Sequence, residues 1–236
     1  MSDSPVLLIT GASTGIGAAT ARAAADAGYR LVLGARREQP LRDLAAELGG
    51  PERAIAVRCD VGEWEDVEAL VGSGVDAFGG IDAAFANAGF GASRGFLSES
   101  VEHWRSMVLT NVLGVALTIR AALPQMLERG SGHFLLTGSV AGRRALPGSL
   151  YSATKWAVTA MAEGLRQELR QMHENYAIRV TLIGPGMTDT PFFERSLDPE
   201  RSLQPEDIAR AALYALSQPA HVDVNEILIR PAGQAN

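Results

Sequence analysis

The sequence predicts a single doubly wound α/β domain: a seven-stranded parallel sheet with helices on both faces. Three observations predict it. Short apolar runs alternate with longer helix-patterned segments along all 236 residues, the signature of repeated βαβ units. The first run, Val6-Leu7-Leu8-Ile9-Thr10, opens into the glycine-rich turn Gly11-Ala12-Ser13-Thr14-Gly15-Ile16-Gly17 and then Ala-rich helical sequence. No linker-like stretch, internal repeat or low-complexity tract divides the chain, so one domain is expected over residues 1–236.

In chain order, strands are predicted at 5–10, 30–35, 54–59, 82–86, 132–138, 177–183 and 225–230. Val6–Ile9 is apolar without alternation, as a parallel strand covered on both faces requires. Helices are predicted at 15–28, 38–48, 63–78, 100–129, 151–174 and 205–217. Asp60-Val61-Gly62-Glu63 fits a capping box opening the 63–78 helix. Pro205, followed by Glu206 and Asp207, fits the first turn of the last helix. Segment 187–204 is the one loop long enough to act as a lid. Ligands of such a sheet gather at the carboxyl ends of its strands.

Composition narrows the function. About 47% hydrophobic residues suffice for a substantial core. A net charge of −6 argues against nucleic acid or an anionic membrane as partner. Cys59 is the only cysteine, so no internal disulfide forms; its flanks suggest a strand end and a small buried side chain rather than a reactive thiol. The start, Met1-Ser2-Asp3-Ser4, lacks the basic region of a signal peptide. Apolar stretches are expected to be broken before membrane-spanning length, which points to the cytoplasm. His103, His133, His173 and His221 are scattered, so no metal site is expected.

Two motifs carry chemistry. A strand, a glycine turn and a helix in that order form a phosphate cradle, because glycines admit a pyrophosphate and the helix start presents free N–H groups. The spacing is Gly-x3-Gly-x-Gly, and the alternative is a turn that binds nothing. In Tyr151-Ser152-Ala153-Thr154-Lys155, a phenol and an ammonium four residues apart share one helix face. A fixed positive charge there would lower the tyrosine pKa, fitting it to exchange a proton with a carbonyl oxygen or an alcohol.

Thr10-Gly11-x3-Gly15-Ile16-Gly17, Asn87-Ala88-Gly89, Asn111, Ser139, Tyr151-x3-Lys155 and Pro185-Gly186 together resemble the short-chain dehydrogenase/reductase family over nearly the whole chain. The resemblance implies a Rossmann-type fold. It makes Tyr151 the general acid-base and Ser139 the group that stabilises charge on the substrate oxygen. Lys155 would lower the Tyr151 pKa and grip the nicotinamide ribose. Asn111 would hold a water linking Lys155 to solvent. Ser139 precedes Tyr151 by twelve residues, one fewer than in many relatives, which makes its placement the least secure of the four.

The same resemblance gives the cofactor contacts. Gly11, Ser13, Thr14, Gly15, Ile16 and Gly17 would hold the pyrophosphate. Asp60 would meet the adenine, with Val61 beside it, although Asp60 reads equally well as a helix cap. Asn87, Ala88 and Gly89 would lie along the adenine ribose; the usual first Asn of that motif is Ala86 here. Pro185 and Gly186, with Thr190 or alternatively Thr188, would hold the carboxamide. Ala35 takes the place of the acid that binds an NAD ribose, and Arg36 and Arg37 follow it. A guanidinium chelates a 2′-phosphate, so NADP(H) is expected, mainly through Arg36.

The run Ala220–Pro231 looks like that of serine and 3-hydroxy acid dehydrogenases. A carboxylate substrate needs a cation, and Arg94, Arg143, Arg144 and Arg195 are the candidates. The alternatives are a ketone or aldehyde reductase of secondary metabolism, and a regulator that senses NADP(H) without turnover. Family members assemble through the helices matching 100–129 and 151–174. A homotetramer or homodimer is therefore expected, with Trp104, Met107, Trp156 and Met161 as candidate contacts.

Overall fold

The structure is a computed structural model that describes residues 4–193 and 197–234. The described strands are β1 (Val6–Thr10), β2 (Arg30–Ala35), β3 (Ala54–Arg58), β4 (Ala83–Ala86), β5 (Gly132–Thr137), β6 (Ile178–Pro185) and β7 (Glu226–Ile229). They form one sheet in the order β3-β2-β1-β4-β5-β6-β7, and every pair is parallel. The α-helices are α1 (Gly15–Asp26), α2 (Glu38–Glu47), α3 (Trp64–Phe78), α4 (Val101–Val108), α5 (Gly114–Arg129), α6 (Leu150–Gln171) and α7 (Pro205–Leu216).

Strand alternation divides the core between the two faces. Leu7, Ile9, Leu31, Leu33 and Phe85 pack beneath α1, α2 and α7. Val6, Leu8, Val32, Phe134 and Leu136 pack beneath α3, α5 and α6. Each fully buried large side chain contributes about 1.5–3 kcal/mol. α3 lies close on β2, since a Cβ at Gly34 would sit 2.6 Å from Leu70 Cδ2.

The strand order reverses between β1 and β4. The chain winds outward through β2 and β3, then crosses to β4 on the other side of β1. The crevice between the carboxyl ends of β1 and β4 is the position where α/β sheets bind ligands.

Some local expectations are corrected. The 100–129 helix is divided by a π-helical segment, Leu109–Leu113, between α4 and α5. By length and composition Val101–Arg129 is long and apolar enough to cross a membrane, although Gly114 and Arg120 interrupt its apolar run. Met107, Asn111, Val115, Thr118, Ala122 and Met126 along it are buried in the fold, which makes it a core helix with one outward apolar side. The capping box at Asp60 is absent. Asp60 Oδ1 accepts from Gly62 N–H at 3.0 Å, and Asp66 reaches back to Asp60 N–H at 2.8 Å. Glu63 precedes α3 with no side-chain cap. Before α7, Gln204 and Asp207 form a capping box with Pro205 in the first turn. β6 runs two residues beyond its predicted end because β7 pairs with it as far as Pro185.

Candidate active site

At the end of β1, Gly11 (φ +66°) and Gly15 (φ +55°) adopt the left-handed backbone that glycine alone takes without strain. A Cβ at Gly11 would lie 2.8 Å from Ala88 Cα, so the turn rests on the segment after β4. α1 then starts with no side-chain cap and no acid in its first turn. Its first N–H groups and positive dipole end are thus offered to an anion. These residues fit a dinucleotide pyrophosphate.

The two arginines after β2 differ in their contacts. Arg37, rather than Arg36, reaches the glycine turn, donating to Ser13 Oγ at 3.3 Å and Thr14 Oγ1 at 3.1 Å. Arg36 is exposed beside it, and Ala35 is buried at the strand end. Val61 turns its side chain into the core, where it fills the space a Cβ on Gly114 would need.

Asn87 ties three strand ends together. Its Nδ2 donates to Thr10 O at 3.1 Å, and its Oδ1 accepts from Thr137 Oγ1 at 3.2 Å. Thr10 Oγ1 in turn accepts from the N–H groups of Asn87 and Ala88. Thr10 and Thr137 were not among the predicted site residues; the signal for Thr10 was its place at the strand end before the glycine turn.

Ser139 follows β5 and caps a short 3₁₀ turn, Val140–Gly142, by accepting from Ala141 N–H at 3.1 Å. A Cβ at Gly142 would lie 2.9 Å from the Lys155 carbonyl carbon, so the turn packs directly on α6. This packing sets Ser139 beside the Tyr151 side chain, close enough for its hydroxyl to favour the phenolate, despite the shortened spacing. Lys155 Nζ lies 5.7 Å from the Tyr151 ring centre and donates to Thr137 O at 2.8 Å.

Electrostatics at the pair differ from expectation. Tyr151 is half-buried, and desolvation pushes its pKa up to about 12. The nearby Ser139 hydroxyl opposes this and does not win. Burial also lowers Lys155 to about 8. Desolvation of the charged forms, rather than a pull of Lys155 on Tyr151, sets both shifts.

Asn111 is fully buried, in the π segment. Its Nδ2 donates to Phe90 O at 2.9 Å and to Thr154 Oγ1 at 3.2 Å, while its Oδ1 accepts from Phe90 N–H at 3.0 Å. These bonds supply the compensation that a mid-helix asparagine needs. Gly89 lies against this group, since a Cβ there would be 3.2 Å from Asn111 Oδ1 and 3.6 Å from Lys155 Nζ.

After Pro185 and Gly186, Thr188 is buried and bonds back to Gly186 O. It is Thr190 that opens the next turn, accepting from Phe192 N–H at 3.3 Å. A Cβ at Gly15 would lie 3.2 Å from Thr190, so Thr190 reaches the cradle and Thr188 does not cap. The 187–204 loop is pinned at its ends by the Thr188–Leu203 bridge. Residues 194–196, with the candidate cation Arg195, lie outside the described residues. Arg143 is paired with Glu226, and Arg94 and Arg144 are exposed. Cys59 is buried, with its thiol pushed up to about 12 by desolvation.

The family model for short chain dehydrogenase matches residues 5–201. The chain belongs to the short-chain dehydrogenase/reductase family. Within this family of oxidoreductases it is 40% identical over 246 residues to human "Dehydrogenase/reductase SDR family member 11", covering 96% of this chain and 94% of that protein. An alcohol dehydrogenase from the archaeon Thermococcus sibiricus, complexed with 5-hydroxy-NADP, superimposes with a TM-score of 0.87 at 34% identity, covering 99% of both chains. Serine dehydrogenase from Escherichia coli superimposes with a TM-score of 0.87 at 31% identity, covering 98% of this chain and 100% of that one.

Proposed function

We propose that this chain is an NADP(H)-dependent oxidoreductase acting on a carbonyl and its alcohol, with Tyr151 handling the proton. The observation that carries the reading is Lys155 Nζ 5.7 Å from the Tyr151 ring centre, one helical turn on, with the turn that Ser139 caps packed on the same helix. When bound, NADPH supplies the hydride.

The chain's own groups do the rest. The Gly11–Gly17 turn and the α1 start hold the pyrophosphate. Arg37, assisted by Arg36, binds a 2′-phosphate that an acid at position 35 would repel. Ser139 donates to the substrate oxygen as charge develops there. Tyr151, protonated at neutral pH as a phenol ordinarily is, gives its proton to that oxygen, which suits the reducing direction. Lys155 grips the ribose. The Asn111 side chain is engaged by Phe90 and Thr154, so a proton path through water would use the backbone of the π segment.

The human relative and the archaeal alcohol dehydrogenase support this class, and the NADP analogue bound to the latter supports the cofactor. The apolar side formed by Val101, Leu109, Leu113 and Trp156, all exposed, suits a second copy of the chain. Met107 is fully buried and is not available as a contact, whereas Met161 is partly buried against the core. The reading is tested by following NADPH oxidation with a panel of ketones and aldehydes, NADH in parallel. Turnover that survives Tyr151→Phe would reject it.

A further inference from the structure

An aromatic ring stands directly beside the reactive phenol. The Phe192 ring centre is 5.5 Å from that of Tyr151, at 63°, and 5.1 Å from Phe193. A Cβ at Gly91 would lie 2.9 Å from Phe192 Cε1 and 3.1 Å from Cε2, and closer still to the ring tip. Glycine at 91 is thus what admits the ring. Both sides of this contact are fixed. Phe192 N–H is held by Thr190 Oγ1, and the loop start is bridged to Leu203. Opposite, His103 Nε2 bonds Gly91 O at 2.9 Å while Asn111 holds both backbone groups of Phe90. Yet Phe192 remains 43% exposed, more than a ring serving only as packing.

Of the described cations, Arg143 and Lys155 are already engaged. A carboxylate brought beside these rings loses water and needs a cation in exchange. Arg143 is engaged by Glu226 through Nε at 2.7 Å, and Lys155 by Thr137 O. Arg94 and Arg144 lie exposed on their loops. We infer that Phe192 is a wall of the substrate site that selects carbonyl compounds bearing a flat apolar group, aryl or cyclic, over free oxo acids. This inference rests on the oxidoreductase reading and names its substrate class. It turns away from the 3-hydroxy acids that the C-terminal run suggested.

The test compares acetophenone with 3-oxobutyrate as NADPH-dependent substrates of the wild type, Phe192→Ala and Phe192→Leu. Acetophenone binding to the NADP⁺-saturated protein, where no hydride is available, is measured in parallel by calorimetry. The wild type is expected to favour acetophenone in kcat/KM. Phe192→Ala should lower that preference about tenfold through KM, and Phe192→Leu, the safer variant for folding, by less. A preference for 3-oxobutyrate, or a ratio unmoved in both variants, overturns the wall and leaves the oxidoreductase reading intact. Phe192-dependent acetophenone binding with no turnover of either compound keeps the wall and defeats the oxidoreductase reading. Neither binding nor turnover of acetophenone defeats the wall outright.

Discussion

The Asn111 side chain closes on both backbone groups of Phe90, giving Nδ2–H to the carbonyl at 2.9 Å and taking the N–H at 3.0 Å. One side chain from the π segment thereby fixes the strand-β4 loop at the residue before Gly91. Asn111→Ala would leave these partly buried backbone groups and Thr154 without that partner. It should cost about 2–3 kcal/mol in denaturant unfolding, and raise KM for the carbonyl as the Phe90–Gly91 segment loosens. Stability equal to wild type would remove the clamp from the account.

Arg37 touches the cradle and Arg36 does not. Arg37→Ala should weaken NADPH binding about 10–100-fold, as loss of a charge-assisted contact implies, and leave NADH affinity nearly unchanged. Arg36→Ala should do less. Titration of both coenzymes into each variant decides it, and equal losses for NADPH and NADH would mean that neither arginine reads the 2′-phosphate.

Tyr151→Phe removes the proton donor and keeps the ring that Phe192 packs against. Carbonyl reduction should fall by about 10²–10⁴ in kcat, with NADPH affinity retained. Ser139→Ala should lower kcat by about 10²–10³ without moving coenzyme binding. Single-turnover rates beside binding constants separate these effects from misfolding.

Lys155 carries a pH signature. Its folded pKa lies near 8 against an ordinary 10.5, so between those values the unfolded chain holds a proton that the folded chain has released. Stability therefore rises with pH across that window. Tyr151, raised from 10.0 to about 12, acts oppositely: the folded chain keeps a proton that the unfolded chain has lost, and stability falls between those values. Melting temperature against pH should show the Lys155 rise in the wild type and not in Lys155→Met. A wild-type profile parallel to that of the variant from pH 8 to 10 would place Lys155 in contact with solvent.

The outward apolar side of the α4–α5 helix is 40% exposed at Leu109 and 39% at Leu113. Leu109→Lys combined with Leu113→Lys should shift the protein from an oligomer to a monomer in light scattering, because two desolvated ammonium groups oppose association. A wild-type monomer would end the expectation of assembly through this side.

The sequence by itself determined the order of elements, the parallel sheet and the glycine cradle. These follow from local causes: apolar runs that must be buried on both faces, and glycines where the backbone turns left-handed at Gly11 and Gly15. It also placed Tyr151 and Lys155 on one helix face, since four-residue spacing fixes that without any tertiary contact. Tertiary structure decided what depends on distance through space. Ser139 is brought beside α6 because the 3₁₀ turn it caps packs on that helix through Gly142. Thr137, Phe90 and Phe192 carry no spacing signal, yet they hold Lys155, meet Asn111 and flank Tyr151. The direction of both pKa shifts belongs here too. Sequence supplied the neighbouring charge, but only folding supplied the burial that sets both shifts.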